Sequence, residues 1–304
     1  MTNDDFPQMI GVGSVFIDDI VLADGVTHMG VLGGGTVHAL MGAALWDERP
    51  GLCAFVGNDL ERETVDYLGQ HFDTEGLVEL DGPQMRAWQI FEHDGTRREL
   101  HRIKEIAPYV AGTQPQHLPP DYQKSQAFYL LQNFDGIHNW LESVCGLVLW
   151  EPNALAMLPD KRQAMGNVLA NHDIDIVSPN LDEARTVYDL NSPDELIAAM
   201  FADGANIVAL RMGAQGSIVA DRATGEKHHL GVIDVAQIVD QTGAGNTYCG
   251  GLLCGLLHGK SLFEAAAMGT VAASFCLESI GTLQPDKISQ TERDERLSRL
   301  LSNQ

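Results

Sequence analysis

The sequence predicts an α/β protein built on a parallel sheet with helices on both faces. Three observations carry this. Through the second half of the chain, short apolar runs alternate with runs of helical period, the pattern of repeated β-then-α units. The apolar runs are near-continuous, as in strands buried on both faces. Polar or glycine-rich turns close several of them, where open α/β sheets bind ligands.

The first half reads mostly as strands and hairpins. "MIGVGSVFIDDIVLA" (9–23) is rich in β-branched residues and predicts one or two strands. "GGGTVHALMGAALW" (33–46) switches to a helical period after a glycine-rich turn, "GLCAFVGND" (51–59) is a buried strand closed by a turn, and "ERETVDYLGQHF" (61–72) is helical. "AWQIFEHDGTRRELHRI" (87–103) reads as a hairpin turning at Asp94-Gly95, and its polar alternation suits an exposed flap. Then strand "FYLLQ" precedes helix "GIHNWLESV", "GLVLWEPN" precedes "PDKRQAMGNVLANH", and "DIDIVSPN" precedes "LDEARTVYDL". Helix "SPDELIAAMFADG" precedes strand "NIVALRMG", with "GSIVAD" following. A strand is expected to end at Val239, and two helices, 244–258 and 261–278, complete the pattern. No internal repeat or low-complexity segment interrupts it, so 1–304 reads as one domain.

Composition narrows the partners. A formal net charge of -23 over 304 residues argues against a nucleic-acid backbone or an anionic membrane surface as ligand. The five cysteines are spread without a CxxC pair and read as buried reduced thiols of a cytoplasmic protein. The N-terminus has no apolar signal segment, and "GGLLCGLLHG" is too short to span a bilayer.

"DQTGAGN" offers backbone N–H groups of Gly243, Ala244 and Gly245 at a helix start. It reads equally as an anion cradle or as a helix end packed closely on a strand. In "SPNLDEA", Asn180 and Glu183 suit a hydrated Mg2+ at a phosphate, or a capping box. In "RMGAQGS", Arg211, Gly213 and Gly216 could lie over a nucleotide's phosphates or form a plain turn. His38 reads as a satisfied polar residue inside a pocket before it reads as catalytic. "GVGSVF" is no dinucleotide fingerprint, because Phe16 stands where the third glycine belongs. HExxH, G-x-S-x-G and Walker A patterns are absent from the sequence.

In their order and spacing these pieces resemble the ribokinase/PfkB carbohydrate-kinase family, from about residue 9 to residue 281. "GVGSVFIDDI" resembles its first strand, "LGGGTVHAL" its glycine pair at Gly33 and Gly34, and "VGNDLER" its G-x-D turn. "SPNLDEA" carries its N-x-x-E motif, "RMGAQGS" resembles its T-x-G-x-x-G turn, and "DQTGAGN" resembles its D-T-G-A-G-D signature. The resemblance implies a ribokinase-like three-layer sandwich, with a mostly parallel central sheet and a small β lid from about 11–32 and 87–103. It implies transfer of the γ-phosphate of ATP to a sugar or sugar-like alcohol, with Mg2+. Asp18, Gly33, Gly34 and His38 would meet the substrate. Asn180, Arg211, Gly213 and Gly216 would meet the nucleotide, and Glu183 would hold Mg2+ through water. Gly243, Ala244 and Gly245 would form the anion hole, and Asp240 and Thr242 stand where many members bind a monovalent cation such as K+. Members often form homodimers through lid strands, and an exposed hairpin edge invites it.

The chain departs from that pattern. His38 replaces a sugar-binding Asn, Arg211 replaces a Thr, and "WEPN" replaces D-P-N. Asn246 takes the place of the Asp that acts as general base; a side branch of the family carries GAGN in this way. An amide can hold a hydroxyl but cannot take its proton, and general-base help is typically ~10²–10⁴ in rate. Three expectations follow: a kinase that is slow or finds its proton acceptor elsewhere, for instance Asp18; a nucleotide- and sugar-binding pseudokinase; or an Asn introduced in place of a native Asp.

Overall fold

A computed structural model describes residues 6–94, 96–102, 109 and 112–302. Gly95 at the hairpin tip, Ile103 at the end of the expected lid and residues 1–5 lie outside the described residues.

The strands are β1 (Met9–Ser14), β2 (Phe16–Val21), β3 (Thr27–Gly33), β4 (Gly51–Gly57), β5 (Leu77–Leu80), β6 (Arg86–Phe91), β7 (Arg97–His101), β8 (Ala127–Gln132), β9 (Leu147–Pro152), β10 (Ile176–Val177), β11 (Ile207–Arg211), β12 (Ser217–Asp221) and β13 (Lys227–Leu230). The α-helices are α1 (Gly35–Ala44), α2 (Arg62–His71), α3 (Phe134–Leu141), α4 (Arg162–Asn171), α5 (Leu181–Tyr188), α6 (Pro193–Asp203), α7 (Ala244–Leu257), α8 (Leu262–Leu277) and α9 (Gln290–Leu301).

Nine strands form the central sheet in the order β13-β12-β11-β10-β9-β8-β1-β4-β5. Pairing is parallel from β5 to β11 and antiparallel through β12 and β13. Each face buries its own core, as the near-continuous apolar strands require. Leu40, Leu252, Val271 and Phe275 pack on one face. Phe128, Trp140, Trp150 and Val208 pack on the other. The result is an α/β sandwich with a mostly parallel central sheet covered on both faces.

A second sheet of four strands, β3-β2-β6-β7, stands apart. It begins at Phe16. Residues 11–14, expected in the lid, belong instead to β1, between β8 and β4 of the central sheet. Their apolar sequence buries them there, and the chain changes sheets at Val15. The strand alternation of β2 sends Asp18 and Asp19 to opposite faces. Asp19 is fully buried, pairs with Arg102 and accepts from the Gly30 N–H at 2.9 Å. Arg102 also lies over the Trp88 ring at 4.9 Å.

The stretch before α7 is not the expected strand. Residues 231–243 run without sheet pairing, because the preceding residues complete the edge hairpin β12–β13. The Val239 N–H donates to the Leu277 carbonyl at 2.7 Å and ties the stretch to the end of α8.

Helix α7 is seated by backbone contact. A Cβ at Gly250 would overlap the Ala39 carbonyl oxygen of α1, and one at Gly42 would overlap the Thr247 carbonyl oxygen of α7. Gly250→Ala therefore has to push two backbones apart and should destabilise the protein by about 2–3 kcal/mol. Gly69 in α2 has nothing within 4 Å of a would-be Cβ. Gly69→Ala should stabilise by about 0.5–1 kcal/mol through helix propensity. Urea denaturation of the two variants beside the parent checks the opposite signs.

Candidate active site

The carboxyl ends of the central strands, the start of α7 and the inner face of the second sheet enclose one cavity of ≈ 1190 Å³. It is large enough for two ligands side by side.

Its floor is the turn before α7. Gly243 caps the helix with φ 74, a left-handed conformation that glycine adopts without strain. A Cβ there would also run into the His38 ring. Gly243, Ala244 and Gly245 line the cavity at the positive end of the helix. Behind the turn, Asp240 accepts from the Thr242 N–H at 2.8 Å and the Gly281 N–H at 3.0 Å. It clamps the turn and does not itself reach the cavity. Thr242 does, and its buried hydroxyl has no partner among the described residues.

Asn246 heads α7 beside the cradle. Its Nδ2 donates to Glu151 Oε1 at 2.9 Å and to the Tyr129 hydroxyl at 3.3 Å. The Tyr129 hydroxyl donates to Glu151 Oε2 at 2.6 Å. Arg211 Nη2 lies 2.9 Å from Glu151 Oε1, donates to the Ser178 carbonyl at 2.8 Å and stands 4.0 Å from Glu183 Oε2. Burial works against the Arg211 charge, but Glu151, Cys249, Glu183 and Tyr129 together outweigh it and raise the pKa. Burial pushes the Tyr129 phenol well above its usual range, so it stays a donor. Glu151 lies near the end of β9 and Tyr129 sits on β8. Arg211 thus lies inward, beside Asn246, as the last residue of β11, while Gly213 and Gly216 follow in the turn at the rim.

Asn180 and Glu183 form a capping box at the start of α5. Asn180 Oδ1 accepts from the Glu183 N–H at 2.8 Å, and Glu183 Oε2 accepts from the Asn180 N–H at 2.9 Å. The capping reading is therefore the one observed, and both residues also line the cavity. Burial raises the Glu183 pKa, and Arg211 opposes the rise.

At the second sheet, Asp18 is 3% exposed and accepts from Gln89 Nε2 at 3.1 Å. Burial raises its pKa to about 7, against the lowering effect of Gln89. His38 is buried and its pKa falls to about 3, so the ring is neutral. Its Nδ1 lies 3.8 Å from Cys276 Sγ, and Nε2 has no partner among the described residues. Gly34 caps α1 and lines the cavity. Gly33 does not; its missing side chain makes room for the Asp18 carboxylate, which a Cβ would overlap.

Of the residues that sequence reasoning placed at a site, one cavity gathers Asn246, Gly243, Ala244, Gly245, Asp18, Gly34, His38, Asn180, Glu183, Arg211, Gly213, Gly216 and Thr242, while Gly33 and Asp240 stand behind its wall. Sequence reasoning missed the roles of Glu151 and Tyr129. The unusual "WEPN" at a strand end was the available signal for Glu151. Tyr129, inside an apolar strand, gave none.

Residues 150–288 match the sequence profile described as "pfkB family carbohydrate kinase". A cytidine kinase from Thermococcus kodakarensis is 24% identical over 90% of this chain and 97% of its own length. A putative ribokinase II from E. coli, solved with ATP and Mg2+, superposes with a TM-score of 0.78 at 18% identity, over 97% of this chain and 100% of that one. Arabidopsis thaliana ribokinase, solved with ribose and ATP, superposes with a TM-score of 0.75 at 18% identity, over 96% and 99%.

The cradle supplies a test that needs no ligand. Gly243→Ala meets both the His38 ring and an unfavourable φ, and should destabilise by about 2–4 kcal/mol. Gly213 has φ 57 but open space around it. Gly213→Ala should cost only the backbone term, about 1 kcal/mol. Thermal denaturation of both checks the ranking.

Proposed function

Since this chain belongs to the ribokinase/PfkB carbohydrate-kinase family, we propose that it transfers the γ-phosphate of ATP to a hydroxyl of a sugar or nucleoside. The observation that carries the reading is the cradle of Gly243, Ala244 and Gly245 opening on the same cavity as Asn180, Glu183 and Asp18. Phosphoryl transfer through a loose transition state depends mainly on positioning and charge neutralisation. The cradle supplies backbone donors and a helix terminus for the transferring group. Asn246 holds the acceptor hydroxyl. Asp18 faces that hydroxyl and His38 binds the rest of the acceptor, under the second sheet acting as a lid. Gly213 and Gly216 flank the nucleotide.

The acceptor oxygen bonds to the γ-phosphorus, the bond from that phosphorus to the ADP oxygen breaks, and ADP keeps the electron pair. We assign the hydroxyl proton to Asp18, the cavity carboxylate whose pKa lies near neutrality.

Among the described residues no three His, Cys, Asp or Glu side chains gather to cage a metal. The donor set fits Mg2+, which keeps its waters and needs few protein ligands. Glu183 would hold it through water, with Asn180 beside it. When bound, Mg2+ neutralises phosphate charge. A monovalent cation such as K+ would find the unpaired Thr242 hydroxyl, but Asp240 already spends both oxygens on backbone N–H groups.

A second reading, binding without transfer, is favoured by one observation: position 246 offers no group that can take a proton. Turnover of Mg-ATP with a panel of nucleosides, sugars and polyols separates the two. Phosphorylated product is expected with at least one acceptor, with Glu183→Ala lowering kcat at least about tenfold. Nucleotide binding without product from any acceptor would leave the binding reading standing instead.

The pH profile tests the proton's destination. An acceptor carboxylate must be unprotonated, so the rate should rise with pH through about 7 and level off above it. Asp18→Asn should lower kcat and remove that rise. A profile unchanged by Asp18→Asn would show that the proton goes elsewhere.

A further inference from the structure

Glu151 is the one carboxylate in direct hydrogen bond with Asn246 among the described residues, and the kinase reading gives it no task. It is 5% exposed and lines the cavity. Both oxygens are engaged: Oε1 by Asn246 Nδ2 and Arg211 Nη2, each at 2.9 Å, and Oε2 by the Tyr129 hydroxyl at 2.6 Å. A carboxylate only accepts hydrogen bonds, so the amide must turn its NH2 toward it. That choice fixes the other end of the amide. Asn246 Oδ1 points away from Glu151 as an acceptor, which suits the hydrogen of a hydroxyl.

The same contact works against an ionised acid at position 246. An Asp there would set a carboxylate oxygen against Glu151 Oε1, and the two could sit together only by holding a proton between them, which costs the pair a charge at neutral pH. Arg211 does not remove the conflict. Its Nη2 is already shared by Glu151 and the Ser178 carbonyl.

We propose that Glu151, one methylene longer than the Asp of the D-P-N pattern, is a positioning residue that orients Asn246 toward the acceptor hydroxyl, and that its reach to position 246 selects the amide there. Asn246 is then native to the chain and is not a lost base. The effect on transfer rests on the kinase reading; the selection of an amide at 246 does not.

The test compares the parent, Glu151→Gln, Asn246→Asp and the exchanged double variant E151Q/N246D. Two readouts are taken at neutral pH: Tm without ligand, and kcat and KM for Mg-ATP with cytidine, ribose and water as acceptors. Asn246→Asp alone should lower Tm by about 3 °C or more. It should lower kcat at least about tenfold, with KM for ATP within about twofold of the parent. Glu151→Gln should lower kcat similarly, because the amide loses its fixed orientation. The double variant should recover both properties, since the amide placed at 151 then donates to the carboxylate placed at 246. The proposal is overturned if Asn246→Asp alone is as stable and as active as the double variant, if the two substitutions act additively on Tm, or if only the double variant fails to fold. Absence of transfer in all four proteins would overturn the kinase reading, while the thermal cycle still decides the selection of the amide.

Discussion

The site depends on how closely α1 and α7 approach. Two glycines, Gly42 and Gly250, let the backbones of these helices touch. That contact sets where α7 begins, and the beginning of α7 is the floor of the cavity. A side chain at either position would lift the helix end away from the strand ends. The Asp240 clamp and the tie from Val239 to α8 act in the same sense, since each fixes the loop that leads into the cradle. Close backbone contacts, with the Asp240 side chain as a clamp, therefore place the donors that a phosphate would meet.

Charge in the cavity is arranged around one buried carboxylate. Glu151 can sit at a strand end because Arg211, Tyr129 and Asn246 satisfy it from three elements. Buried charge is tolerable only when it is matched in this way. The three departures at 151, 211 and 246, taken singly, look like erosion of a kinase pattern. In space they are one connected group. The Arg that replaces a Thr is the partner of the Glu in "WEPN", and the Asn that replaces an Asp is the neutral residue this Glu selects. His38, the remaining departure, stands apart against Gly243 and Cys276.

The site joins two sheets that handle acids differently. In the second sheet, adjacent aspartates of β2 face opposite ways. Asp19 is paired with Arg102 and helps hold the sheet together. Asp18 faces the cavity with Gln89 as its side-chain hydrogen-bond partner among the described residues, and burial lifts its pKa to about 7. Successive residues of β2 point to opposite faces, which leaves one carboxylate paired within the sheet and the other facing the cavity.

The sequence by itself determined the parallel sheet with two covered faces, the helix starts at Asn180 and Gly243, and most of the residues that meet in the cavity. Apolar periodicity, capping chemistry and glycine-rich turns are local, so they are legible along the chain. Only the tertiary structure decided that β1 leaves the second sheet for the centre of the first, that residues 231–243 run unpaired, and that Gly33 backs Asp18 and does not face the cavity. These outcomes depend on which strands become neighbours, which no local pattern encodes. The same holds for Glu151 and Tyr129. Their hydrogen bonds to Asn246 span 95 and 117 residues. The amide at 246 gets its meaning across that separation, from a neighbour the linear sequence does not show.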